Sequence, residues 1–147
     1  MKKIFTILFL SVACVVAYAE EIDNKSHEKI MQTMYNMTVI EKQLEEYKKE
    51  NGKYPENKAE FNNIKKYNIT VVPDHTIQNR FMEGNTPYAD KGKWRGYKFA
   101  NPDLVDGWGR DYEYISNGVK YSIRSHGEDG KQGGTGAATD IIIYKNK

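Results

Sequence analysis

The residues of this sequence best suited to chemistry are acids within a glycine-rich stretch, residues 125–140. The stretch holds five glycines in sixteen residues, together with Glu128, Asp129 and Asp140. Glycine adopts backbone conformations that other residues disfavour, and carboxylate and carbonyl oxygens are the ligands that calcium prefers. The stretch therefore indicates either a disordered loop or a loop tied down by a hard cation.

Residue patterns for catalysis are much weaker. Cys14 is the only cysteine and lies in the N-terminal apolar run, and His27 and His75 are isolated in the sequence. The glycine-rich stretch also lacks the Lys-Ser/Thr ending of a phosphate-binding loop. Asp111 and Glu113 alternate in a strand-like segment, which places both on one solvent-facing side. The sequence predicts that the protein is not an enzyme.

The first nineteen residues are typical of a secretory signal peptide. Two lysines precede an apolar run that ends at Val16, and Ala17-Tyr18-Ala19 places small residues at both positions that a signal peptidase reads. A retained membrane anchor is the alternative. The segment from Ile4 to Ala19 is only sixteen residues long, however, and a membrane span needs about 20 apolar residues. We therefore expect a signal peptide at 1–19, a globular domain at 20–147 with no stable membrane span after cleavage, and a periplasmic or secreted location.

The charge and the cysteine content of the chain bear on two further classes, nucleic-acid-binding proteins and lipoproteins. Removing Lys2 and Lys3 from the 22 basic residues leaves twenty, equal to the 20 acidic residues. A neutral domain without a dense basic block is not expected to bind nucleic acid. A lipoprotein acylated at Cys14 is an open alternative, although Ser11 stands where a lipobox has leucine.

The helical pattern lies early in the mature chain. Apolar residues repeat at intervals of three and four, which predicts one long helix of roughly 25 residues. Ser26 is the expected N-cap, and Asn51-Gly52 the expected end. The stripe consists of Ile30, Met34, Met37, Ile40, Leu44 and Tyr47.

Strand patterns lie at the other end of the chain. Segments 112–115, 121–124 and 140–144 alternate or are rich in β-branched residues, and Asn117-Gly118 is a strong hairpin signal. A long helix followed by three antiparallel strands predicts an α+β fold in which the sheet covers the helical stripe. A long irregular middle segment separates the two parts. Its aromatic-rich portion, 81–99, could instead grip a protein or glycan through Tyr88, Trp94 and Tyr97.

This order of residues resembles the major pseudopilin, the G-type pseudopilin, of type II secretion systems over most of the mature chain. Separated motifs carry the resemblance in the same order and at similar spacing. They are Leu44-x-x-Tyr47-Lys48 with Asn51-Gly52-x-Tyr54-Pro55, Asp106-x-Trp108-Gly109 with Tyr112-x-Tyr114, and Ser125-x-Gly127-x-Asp129-Gly130-x-x-Gly133-Gly134 followed by Asp140-Ile141.

The resemblance implies a structural calcium ion in the loop between the second and third strands. Asp129 and Asp140 match its acidic ligands, His126 stands where the family has a carbonyl ligand, and Glu128 is a further candidate. Family members commonly carry another acid in the segment matching 135–139, which here reads Thr-Gly-Ala-Ala-Thr. The resemblance therefore implies a calcium site with one acid fewer.

The N-terminus also departs from the family pattern. Pseudopilins begin with a prepilin leader, a glycine cleavage site and a Phe and Glu that open an apolar polymerising helix, and this chain has none of these. We therefore expect an exported, soluble pseudopilin-like domain with a structural or interaction role. Its expected partners are proteins, such as the pseudopilins of a type II secretion or pilus-like machine. The alternative is a secreted binding module that uses segment 81–99.

Overall fold

The computed structural model describes residues 23–69, 71 and 103–146. The predictions for the signal peptide, for Cys14, for His75 and for segment 81–99 lie outside the described residues. The described residues form helices and three strands in the order that the sequence predicts. They run α1 (Asn24–Asn51), α2 (Lys58–Asn62), a 3-10 turn (Asn63–Lys66), β1 (Glu113–Ser116), β2 (Tyr121–Ser125), a second 3-10 turn (Gly136–Ala138) and β3 (Ile141–Lys145).

Helix α1 begins earlier than the sequence predicts. Its N-cap is Asp23, whose carboxylate accepts a 2.8 Å hydrogen bond from the Ser26 amide. The prediction of Ser26 as the cap was wrong because an aspartate three residues upstream already satisfies that amide. The helix ends as predicted, since Gly52 takes a left-handed conformation with φ of 76° and its amide bonds to the Lys48 carbonyl.

The predicted apolar stripe of α1 forms the core. All six stripe residues are buried, and Met31 is buried beside Met34 and Met37. Burial extends around the whole helix over residues 33–40. The buried polar side chains within that part find partners, as the Asn36 amide does in the Val105 carbonyl at 3.0 Å.

The strands form one antiparallel sheet in the order β1-β2-β3. Tyr114, Ile123 and Ile143 lie side by side in register across it. Ile123 and Ile143 are buried, and α1 packs on β3. The fold is therefore the predicted α+β arrangement of a long helix on a three-stranded sheet.

The turn after α1 connects the helix to the β1-β2 hairpin. The Tyr54 amide donates a 2.8 Å hydrogen bond to the Gly118 carbonyl, and its ring meets the Tyr121 ring edge-on at 4.7 Å. Its hydroxyl donates to Glu45 Oε1 at 2.7 Å. Among the described residues, no helix is both long and apolar enough to cross a membrane.

Candidate functional site

A tight turn at residues 106–110 precedes β1 and is organised by a buried carboxylate. Asp106 is only 4% exposed, and its Oδ1 accepts hydrogen bonds from the amides of Trp108 at 3.0 Å and Arg110 at 2.9 Å. The Asp106 amide donates to the Arg110 carbonyl at 2.8 Å. A carboxylate suits this position because one oxygen accepts from two amides and the second oxygen can accept a further hydrogen bond.

This turn lies directly against α1. The Gly107 amide donates a 2.8 Å hydrogen bond to Thr33 Oγ1. A Cβ atom at Gly107 would lie 2.0 Å from the Lys29 carbonyl oxygen, so only glycine allows the two backbones to approach this closely. The turn at residues 106–110 is therefore fixed to α1.

Burial also affects the tyrosine that follows the turn. The Tyr112 hydroxyl lies 3.3 Å from the Thr33 carbonyl. Burial raises the pKa of Tyr112 well above its usual value, and the nearby Asp106 carboxylate raises it further. Tyr112 therefore stays protonated and acts as a hydrogen-bond donor between β1 and α1.

The same turn holds the glycine-rich loop, residues 126–140, between β2 and β3. Asp106 Oδ2 accepts a 2.7 Å hydrogen bond from the Ser125 hydroxyl at the end of β2. The guanidinium of Arg110 donates through Nη1 to the Gly127 carbonyl and through Nη2 to the Glu128 carbonyl, both at 2.7 Å. Side chains at both ends of the turn thus fix the start of the loop.

The loop folds back on itself instead of extending into solvent. The Glu128 amide donates to the Ala137 carbonyl at 2.9 Å. Gly127 and Gly134 have φ of 61° and 88°, and a Cβ at either would lie within 2.8 Å of main-chain oxygens at Ala137 or Ala138. The glycines are explained by these close main-chain contacts, and the disorder alternative does not describe this loop.

The Glu128 side chain points to the first turn of α1. Its Oε1 accepts a 2.8 Å hydrogen bond from the hydroxyl of Ser26, which is buried. The sequence offers Glu128 as a metal ligand, whereas the structure uses it to join the loop to the helix start.

Asp140 lies at the other end of the loop, next to basic side chains. Its side chain is 12% exposed, with Oδ1 at 3.5 Å from His126 Nδ1 and Oδ2 at 3.9 Å from Arg124 Nε. The His126 Nε2 atom lies 3.2 Å from Glu113 Oε2. The imidazole of His126 is therefore placed between two carboxylates, where the sequence predicts only a role for its carbonyl.

Asp129 stands apart on the exposed side of the loop. Its Oδ1 accepts a 2.9 Å hydrogen bond from the Lys131 amide two residues later. This contact closes a local turn, the usual role of aspartate beside glycine.

Comparison with known proteins agrees with this architecture. The family model for type II secretion system (T2SS) protein G matches residues 21–144. The chain belongs to the type II secretion system protein G family. It is 24% identical over 143 residues to the type II secretion system core protein G of Vibrio cholerae serotype O1, a match that covers 96% of this chain and 86% of the relative. The resemblance stated from the motifs is confirmed.

Within this protein G domain, the four predicted metal ligands are not gathered into one cluster of side chains. The part of the chain that the structure describes contains no group of three or more His, Cys, Asp or Glu side chains that could hold a metal. Asp140 faces His126 and Arg124, and Glu128 bonds to Ser26. Main-chain oxygens of the loop that a calcium ion could use accept hydrogen bonds from Arg110. As placed, Glu128 and Asp129 bond to Ser26 and Lys131, whereas Asp140 Oδ1 is buried without a hydrogen-bond partner among the described residues.

The sequence does not reveal the roles of two side chains of this protein G domain, Arg110 and Ser26. Arg110 has no distinguishing pattern, because its partners are carbonyls 17 and 18 residues away. The sequence predicts Ser26 only as a helix cap, whereas its hydroxyl donates a hydrogen bond to Glu128, 102 residues along the chain. The Asp106-x-Trp108-Gly109 motif marked the correct turn, and the buried partner of Asp106 on β2 could not be read from it.

Proposed function

We propose that this chain is a structural component that works by binding other proteins of a type II secretion or pilus-like machine, without catalysis. The observation that carries the proposal is the family match over 21–144, which spans all the described elements up to β3. A chain of this family that has been exported would act in the periplasm or outside the cell. Both locations belong to the proposal.

The outer face of the sheet supports a role in protein binding. Ile115 is 60% exposed, Ile142 40% and Tyr144 65%. Ile115 and Tyr144 both lie opposite Ser122 in the sheet register, so the three strands place these apolar side chains on one surface. Val119, in the hairpin turn, is 63% exposed. Exposed apolar side chains on one face are typical of a surface that another protein covers.

Site-specific crosslinking in the native host tests this proposal. A photoreactive residue is placed at Ile142 or Tyr144 of the full chain, and crosslinked products are identified by mass spectrometry. We expect a product with a pseudopilin of the host or with a second copy of this chain. A photoreactive residue at Lys49, exposed on α1 and paired with Glu46 at 2.5 Å, is the matched control.

Two results would contradict the proposal. One is the absence, from both sheet positions, of any product with a pseudopilin of the host or with a second copy of this chain. The other is unchanged secretion of the host's exported proteins after deletion of the gene. A crosslink to an unrelated protein does not support the proposal.

The calcium ion implied by the family resemblance stays a separate prediction. Asp129, Asp140 and the His126 carbonyl would be its ligands, with Glu128 as a further oxygen donor. A ligand that binds only the folded state stabilises it by about 2.7 kcal/mol at a hundredfold excess over its dissociation constant. Calcium binding therefore predicts a lower melting temperature in EDTA, whereas the contacts of Arg110 favour a melting temperature that is the same in EDTA and in calcium.

The alternative of a binding module built on segment 81–99 also stays a prediction, because that segment lies outside the described residues. Replacing Trp94 separates the alternatives. Loss of partner capture with unchanged stability would favour the binding module, and loss of stability would favour a core role for the ring.

A further inference from the structure

Arg110 holds the glycine-rich loop at residues 126–140, the last loop of the chain, in the way that a coordinated cation holds a loop. Its planar guanidinium directs two N–H donors in parallel, and here they meet the carbonyls of two successive residues, Gly127 and Glu128, at 2.7 Å each. Such bidentate, charge-assisted hydrogen bonds are stronger than neutral ones and fix orientation as well as distance. One side chain thereby orients two successive main-chain carbonyls at the start of the loop.

The surrounding residues position this side chain. The Arg110 amide is held by the buried Asp106 carboxylate at 2.9 Å, so its main chain cannot rotate freely. Gly130 has φ of 67°, and a Cβ there would lie 2.9 Å from Arg110 Nε. The guanidinium therefore lies against the bare Gly130 backbone, and the glycine leaves room for it.

The carbonyls that Arg110 uses are also part of the loop's closure. Glu128 accepts from Arg110 through its carbonyl, donates to Ala137 through its amide and bonds to Ser26 through its side chain. One residue thus connects the turn at 106–110, the far side of the loop and the start of α1. A positive charge at this point orders all three contacts.

We propose that the Arg110 guanidinium is the resident cation of the last loop and takes the place of a bound calcium ion in this chain. The two kinds of cation compete for the same type of ligand, main-chain oxygen. The guanidinium is covalently attached to the chain and cannot leave the loop as a bound ion can, so loop order does not depend on calcium. This proposal does not depend on which protein the domain binds.

Hydrogen exchange of the loop amides tests the proposal. The chain is purified as the host exports it, as wild type, Arg110→Met, Arg110→Lys and Lys131→Met, each in millimolar EDTA and in millimolar calcium. We expect identical exchange of the wild-type loop in both solutions. In Arg110→Met, peptides containing Glu128 and Ala138 exchange roughly tenfold faster or more, as expected when charge-assisted hydrogen bonds are lost from a locally opening loop.

The controls separate the guanidinium from general charge effects. Lys131→Met removes an exposed positive charge from the same loop, and we expect wild-type exchange. Arg110→Lys keeps the charge without the fork, and we expect intermediate exchange with unchanged amides in β2 and β3. This variant carries the test if Arg110→Met does not fold.

Two results would overturn the proposal. The first is wild-type loop exchange that accelerates in EDTA and slows in calcium. The second is equal loop exchange in the Arg110 variants and Lys131→Met. Failure of the crosslinking test would affect the proposed partner and leave this result unchanged.

Discussion

The hydroxyl of Ser125 donates a 2.7 Å hydrogen bond to the buried carboxylate of Asp106, which joins the end of β2 to the turn before β1. The same carboxylate holds the amide of Arg110, whose guanidinium reaches the next two residues of the loop. One acid therefore sets the position of both the strand end and the loop cation.

Removing the Ser125 hydroxyl should destabilise the domain. Ser125→Ala leaves Asp106 Oδ2 buried without this donor, and an unsatisfied buried polar group costs about 1–3 kcal/mol. Urea denaturation measures the change in the free energy of unfolding. Ser122→Ala, on the same strand with a side chain on the other face, should cost less than about 0.5 kcal/mol. Equal losses in the two variants would contradict the role given to Asp106.

Gly107→Ala should be among the most damaging small substitutions. Its Cβ would lie 2.0 Å from the Lys29 carbonyl oxygen, so the turn must move away from α1. We expect a loss of about 3 kcal/mol or more, at the upper end for overpacked sites. Gly109→Ala is the matched control, since its φ is 79° and a Cβ there meets no atom within 4 Å. That variant should lose only about 1–2 kcal/mol of left-handed backbone strain. The reverse order in thermal melts would show that the turn does not press on the helix.

Glu45 makes stability fall in acid. Burial by itself raises the pKa of Glu45, but hydrogen bonds from Tyr54 and Lys145 outweigh it and lower the pKa below the ordinary 4.5. A lowered pKa stabilises the folded state above the unfolded-state pKa, and this contribution is lost as pH falls through the folded-state value.

Glu45→Gln should therefore flatten the decline of the unfolding free energy below about pH 4.5. At neutral pH we expect Glu45→Gln to lower the free energy of unfolding by only roughly 0.5–1 kcal/mol, because the ion pair of Glu45 and Lys145 is partly exposed. Glu46→Gln, which removes an exposed carboxylate from the same helix, is the matched control. A Glu45 variant with the wild-type pH profile would rule out this contribution.

Tyr114 makes the stability of the folded state fall in alkali. Burial raises the pKa of Tyr114 to about 12, and the ring stacks on Phe61 at 4.2 Å while the hydroxyl donates to the Pro55 carbonyl at 2.9 Å. Because a raised pKa favours the protonated folded state, this contribution is complete below pH 10 and is lost as pH rises towards 12.

Tyr114→Phe should cost about 0.5–1.5 kcal/mol at neutral pH through the lost hydrogen bond, and it should reduce the alkaline decline of stability. Tyr144→Phe, exposed on the sheet, should do neither. Urea titrations at several alkaline pH values measure both effects. An alkaline decline that is the same in Tyr114→Phe and the wild type would contradict the assignment.

The elements of this fold follow from local patterns, which is why they could be predicted. The stripe from Ile30 to Tyr47 fixes one face of α1, and alternation in β2 fixes which side chains meet it. Glycine after Asn51 ends the helix for a local steric reason. The extra turn at the start of α1 was missed because Asp23 and Ser26 are both good caps.

The candidate site was harder to predict because its contacts join distant residues. The loop and its glycines were visible in the sequence, and so were its acids. The partners of these residues were not visible. Ser26 and Arg110 belong to no sequence motif that links them to Glu128, and only the fold brings them into contact with it. The family resemblance implies a calcium ion in this loop. In the structure, Arg110 already donates hydrogen bonds to two of the loop's main-chain carbonyls, those of Gly127 and Glu128.

The most direct test of Arg110 as the cation that orders the glycine-rich loop is the melting temperature of the wild-type chain in EDTA and in calcium, compared with that of Arg110→Met. We expect the same wild-type melting temperature in both solutions and a lower one for Arg110→Met in both. A wild-type melting temperature that falls in EDTA and returns with calcium would contradict this role of Arg110.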